Sequence, residues 1–148
     1  MASLRSTFLF VAVLLGVFFL GCDQVSAPTE PRPPTVYNLE VVPDSVRLSD
    51  LPPDQVQDSS ATVGVRLATE ARDPDGSVER VVFTVEPATN PRGTATGSLA
   101  PAESTRYERE IGLGVPLVDE VYTIRVFAVD NDSLASNQAV GQFRVIDE

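Results

Sequence analysis

In the stretch Val121-Tyr122-Thr123-Ile124-Arg125-Val126-Phe127-Ala128-Val129-Asp130, the residues Tyr122, Ile124, Val126 and Ala128 alternate with Val121, Thr123, Arg125, Phe127 and Val129. A period of two sends successive side chains to opposite faces of an extended chain, and the β-branched and aromatic content suits a pleated surface. The stretch ends in Asp130-Asn-Asp-Ser133, residues that close turns by bonding their own backbone. The same grammar recurs on either side. Val81, Phe83 and Val85 alternate against Val82, Thr84 and Glu86 after the turn Asp73-Pro-Asp-Gly76. Val63, Val65, Leu67 and Thr69 oppose Gly64, Arg66, Ala68 and Glu70, while Ala139, Gly141, Phe143 and Val145 oppose Val140, Gln142 and Arg144. Residues 104–111 give a weaker strand with Tyr107 and Ile111 inward, and residues 36–42 give the first. No window carries a sustained 3.6-residue period with helix caps.

This pattern predicts strands over residues 36–42, 45–49, 61–72, 78–86, 94–100, 104–111, 119–130 and 137–146, with an irregular loop over 52–60. Short alternating strands separated by turn formers on about a hundred residues imply an all-β, Ig-like β-sandwich of about seven antiparallel strands. Asp73-Pro-Asp-Gly-Ser-Val-Glu-Arg-Val-Val-Phe-Thr-Val85 resembles the B–C turn and C strand of bacterial Ig-like and PKD-like modules. Residues 121–130 are similar to their F strand, a pattern shared with fibronectin type III domains. There is no tryptophan, and Ile124 stands where antibody-type domains carry their second cysteine, so that subtype is excluded. Tyr122 suits a tyrosine corner, in which a buried phenol bonds backbone upstream; its plainer reading is a large inward side chain.

Composition narrows the chemistry. The chain has 148 residues, 21 acids against 11 bases, no histidine and one cysteine. Catalysis through Ser-His-Asp or Cys-His is therefore impossible, as are imidazole or multi-thiolate metal sites and an intramolecular disulfide. A formal charge of −10 opposes nucleic acid as a partner. Every base is arginine, whose planar fork suits bidentate ion pairs on an acidic surface; the pattern reads as GC-rich coding bias or as life in concentrated salt, where excess acid keeps a protein hydrated.

The N-terminus reads as an address. Met1–Thr7 carries Arg5 and no acid, and Phe8–Leu20 is an unbroken apolar run, too short for a bilayer span of about 20 residues. These are the parts of a secretory signal peptide. Phe19-Leu20-Gly21-Cys22 resembles the lipobox of bacterial lipoproteins, although Phe19 and Leu20 depart from the usual residues. The resemblance implies cleavage after Gly21 and acylation of Cys22; an ordinary cleaved signal with a chance thiol is the alternative. Asp23 stands where some bacteria read an inner-membrane retention signal. Four prolines between Asp23 and Thr35 preclude helix or central strand, leaving an extended tether of about 40 Å. The expected organisation is a signal peptide at 1–21, lipidated Cys22 and Pro-rich linker at 22–35, and a sandwich at 36–148. Loss of residues 1–21 removes one Arg and no acid, leaving 10 Arg against 21 acids, or −11.

In such a sandwich the B–C and F–G loops share one end, which collects Asp73, Asp75, Asp130 and Asp132. Converging carboxylates could hold Ca²⁺, which takes about 6–8 oxygen ligands; turn formation accounts for the same residues without metal. No other cofactor is expected. A carboxylate-only enzyme would need paired acids in a cleft, and Glu108 and Glu110, alternating with Arg106 and Arg109, read instead as a solvated, ion-paired face. Val82, Phe127, Val129 and Val140 could form an exposed apolar patch or lie beneath a loop. The expectation is a non-catalytic, lipid-anchored module of the bacterial cell envelope that binds protein or carbohydrate. A structural subunit of an envelope assembly, or a Ca²⁺-stabilised adhesion-type domain, are the alternatives.

Overall fold

The computed structural model describes residues 30–147. The expected signal segment, Cys22 and most of the tether lie outside the described residues. Among those described, nine strands and three 3₁₀ turns follow one another without an α-helix. They are β1 (Thr35–Val42), β2 (Ser45–Arg47), β3 (Val56–Gln57), β4 (Ser60–Arg72), β5 (Val78–Pro87), β6 (Ala95–Pro101), β7 (Arg106–Pro116), β8 (Glu120–Asp130) and β9 (Ala139–Ile146).

Two sheets pack face to face. The first orders β1-β4-β7 with β3 on the end of β4, and the second orders β6-β5-β8-β9-β2. Strand β6 belongs to both: Ala95 to Leu99 pair with β5, then Ala100 and Pro101 cross to Glu108 and Tyr107 of β7. All pairings are antiparallel except β2 with β9.

The all-β sandwich is as the alternation implies, with three differences. Residues 52–60 are not wholly irregular, because Val56 and Gln57 fold back onto Ala61 and Ser60. The second strand stops at Arg47, where Leu48–Asp50 turns into 3₁₀ geometry. Strand β7 continues to Pro116, beyond the expected end at 111. Gly112 and Gly114 hide that extension, since glycine is a poor strand former, yet they fill only outward positions while Leu113 and Val115 continue the inward row.

The inward rows form one core: Val63, Val65 and Leu67 of β4, Val81, Phe83 and Val85 of β5, Tyr122, Ile124 and Val126 of β8, and Phe143 and Val145 of β9. Each fully buried side chain of this size stabilises the fold by about 1.5–3 kcal/mol. Phe83 lies across its partner Gly97, where an added Cβ would stand 2.6 Å from the ring. The inward Thr69 is reconciled to the core by a β-bulge. Asn38, with φ of 54°, shifts the register of β1 between Tyr37 and Glu40, and the Thr69 hydroxyl donates to the Tyr37 carbonyl at 2.8 Å.

Candidate functional site

Strand β8 places a buried carboxylate at each of its ends: Asp130 is 1% exposed and Glu120 is 5% exposed. At the Asp130 end, the B–C and F–G loops do meet. The Asn131 side-chain oxygen accepts the Ser77 N–H at 2.8 Å, and the Asn131 N–H donates to the Ser77 carbonyl at 3.1 Å. Gly76 sits in the crossing; a Cβ there would lie 2.5 Å from Asn131 Oδ1 and 2.8 Å from Asp73 Oδ2.

Two of the acids at this end, Asp73 and Asp130, serve their own loop backbone. Asp73 Oδ1 accepts the N–H groups of Asp75 and Gly76, each at 3.1 Å, an Asx turn. Asp75 accepts the Arg32 N–H at 3.0 Å and lies 3.5 Å from Arg32 Nε, which ties the end of the tether to the loop. Asp130 Oδ1 accepts from Asp132 at 2.9 Å and Leu134 at 2.8 Å; its Oδ2 is buried and finds no hydrogen-bond partner among the described residues. Asp132 is exposed. Among the described residues no group of three or more Asp, Glu or Cys converges to hold a metal ion. Topology thus brings the two loops together, but Asp73, Asp75, Asp130 and Asp132 do not form a ligand cluster. Asn131 and Ser77 link the loops by hydrogen bonds, and Gly76 leaves the room that the Asn131 side chain takes. The sequence signal for them is the Asn within Asp130-Asn-Asp132 and the Gly that closes Asp-Pro-Asp-Gly.

The opposite end depends on Glu120, which reads in sequence as an ordinary solvated strand end. Its carboxylate accepts the Thr89 hydroxyl, the Thr89 N–H at 3.3 Å and the Val121 N–H at 3.0 Å, fastening the turn after β5 to the start of β8. Burial pushes this carboxyl up, but hydrogen bonds from the Thr89 hydroxyl and the Val121, Thr89 and Ala88 N–H groups outweigh it and hold the group below the usual carboxylate range. Two residues on, Tyr122 is buried, its ring 6.0 Å from that of Phe143, and its hydroxyl donates to the Gly114 carbonyl at a long 3.4 Å. Burial and then the Glu120 charge push that phenol up.

The outer faces of the two sheets differ in character. On the first, Arg106 bonds Glu40 at 2.8 Å and lies 3.7 Å from Glu108, which lies 3.6 Å from Arg66. The Arg106 hydrogen bond and charge hold Glu40 below the usual carboxylate range. Glu108 and Glu110 therefore lie on a solvated face as expected. Arg109 turns the other way and donates to the Ser98 carbonyl at 3.1 Å. A shallow groove of about 520 Å³ beside Glu110 is floored by Gly64 and Gly112. On the second sheet, Val82 pairs with Phe127 and Arg125 with Val140. Val140 is 60% exposed, whereas Val129 is 8% exposed beneath its bridge to Ala135. Of the expected apolar patch, three members share an open face and Val129 lies under a loop.

No family model matches the chain, and no curated protein matches it. Among solved structures it is similar to a CARDB domain. That crystal structure, of a protein from Pyrococcus furiosus in complex with di-metal ions, is 15% identical, with a TM-score of 0.38, covering 82% of this chain and all of that one.

Proposed function

We propose that this protein is a lipid-anchored, non-catalytic interaction module of the bacterial cell envelope. The observation that carries the anchor is the placement of the single cysteine, Cys22, directly after an apolar run and before a proline-rich tether. Two or three acyl chains on its sulfur and amine give durable attachment where one does not, each buried methylene adding about 0.8 kcal/mol. The interaction role rests on what the sandwich offers. Its interior is filled by packed side chains, Glu40 and Glu86 are held in ion pairs, Asp73 and Asp130 bond loop backbone, and what it presents outward is sheet surface and loop ends. A groove as shallow as the one beside Glu110 gives a carboxylate pair no enclosed site in which to work.

Fractionation of the full chain tests the anchor. The parent protein is expected with the membranes and Cys22→Ser in the soluble exported fraction. A Cys22→Ser variant that stays with the membrane as the parent does refutes the anchor.

A further inference from the structure

We infer that the outer face of the β6-β5-β8-β9-β2 sheet is a docking surface for an acidic patch on a partner protein. The inference rests on the reading of this domain as an interaction module and specifies the surface it uses. Strand register assembles the face in rows. Val82 stands beside Phe127, with Ser98 on its other side, and the next row runs Thr96, Thr84, Arg125, Val140. Beyond these, Val121 stands opposite Arg144, and Arg144 opposite Ser45 of β2.

Charge sets this face apart. On a chain with 21 acids and 11 arginines, it carries Arg80, Arg125, Arg144 and Arg47 outward, and the one acid within it is Glu86. Glu86 is bonded to Arg125 at 2.7 Å. Arg80 reaches only the neighbouring Glu79 at the rim, at 3.8 Å with both side chains 56% exposed, a contact worth little in water. Arg144 donates to Gln142, and Arg47 has no carboxylate partner among the described residues. The opposite sheet, by contrast, sets Arg66 and Arg106 in a network with Glu40 and Glu108, and leaves Arg72 at the end of β4 without a carboxylate partner among the described residues.

An apolar group of Val82, Phe127 and Val140 with Arg125 among them, and Arg80, Arg144 and Arg47 towards the ends of the face, has the composition of a protein–protein interface, where aromatic residues and arginine are enriched. With strands about 4.8 Å apart and about 3.4 Å per residue, the face offers roughly 500 Å². That is the size of a transient contact, for which rim charge contributes on-rate and specificity. A second copy meeting the same face head-on would set arginine against arginine. A glycan platform would need exposed rings, and Phe127 is half-buried. An acidic protein surface satisfies both the apolar group and the excess positive charge.

The test places a photo-crosslinking residue at position 140 of the full chain, in cells that produce it, with the same residue at position 66 on the other sheet as the control. A discrete protein adduct is expected from 140 and not from 66. The partner so identified, once purified, should bind the full chain with an affinity that falls roughly tenfold or more between 50 and 300 mM salt, as contacts between exposed charges are screened. Arg144→Glu and, separately, Arg47→Glu should each weaken binding several-fold while melting with the parent. An adduct of twice the protein's own mass, equal adducts from both faces, lipid or glycan adducts, no adduct, or salt-insensitive binding would each overturn the inference. Anchoring by Cys22 is read independently by fractionation, so an anchored protein whose face captures nothing refutes this surface alone.

Discussion

Replacing Glu120 by alanine would release one end of the sandwich. The carboxylate is 5% exposed and accepts hydrogen bonds from the Thr89 hydroxyl, the Thr89 N–H at 3.3 Å and the Val121 N–H at 3.0 Å. Hydrogen bonds to a charged acceptor contribute about 1.5–3 kcal/mol each, but these share one carboxylate and are not additive; one is also long. A loss of about 3 kcal/mol follows, or on the order of 10 °C in Tm for a domain of this size. The pH dependence has a definite sign. Because the folded-state pKa of Glu120 lies below its unfolded value, its contribution is fully present above the unfolded carboxylate range and is lost as pH falls through the folded pKa. Thermal melts of parent and Glu120→Ala should therefore differ most near pH 7 and converge in acid, with Glu120→Gln falling between them because an amide oxygen still accepts. A parent–alanine difference below about 0.5 kcal/mol at pH 7, or one that widens in acid, would refute the reasoning.

Three further outcomes follow from the same geometry. Gly97→Ala would put a Cβ 2.6 Å from the Phe83 ring, an overpacking that costs about 1–3 kcal/mol by chemical denaturation; an unchanged midpoint would mean that the ring moves freely. Tyr122→Phe removes a hydroxyl bonded to Gly114 at 3.4 Å, so the loss should sit near the low end of the usual range, about 0.5 kcal/mol, and no measurable loss would leave Tyr122 as a packed ring only. Calcium at millimolar concentration should leave Tm unchanged and give no calorimetric heat, since Asp73 and Asp130 already serve loop backbone and Asp75 is held by Arg32; a rise of several degrees that Asp130→Asn abolishes would place a cation on the buried Asp130 Oδ2.

The architecture was legible because burial imposes a period of two that each main strand must obey, from Val63 in β4 to Val145 in β9. What the period missed were places where glycine, a poor strand former, holds the outward positions beside an unbroken inward row, as in β7 past Ile111, and where a two-residue strand, Val56–Gln57, is too short to show any period. The candidate loops were legible as neighbours from topology alone. Their chemistry was not, because the same Asp and Asn residues serve both to ligate cations and to close turns, and only hydrogen-bond partners separate the two uses. Glu120 was invisible for a related reason: nothing in a lone glutamate at a strand end announces that Thr89, distant in sequence, folds against it. The excess of arginine on one sheet needed the register, which sets Arg125, Val140, Arg144 and Val121 on a common face.

Mass spectrometry of the natural N-terminus tests the proposed role most directly. A mature chain beginning at residue 22, its sulfur carrying a diacylglyceryl group, is the expected species. A free thiol at Cys22, or a chain still bearing residues 1–21, would contradict it.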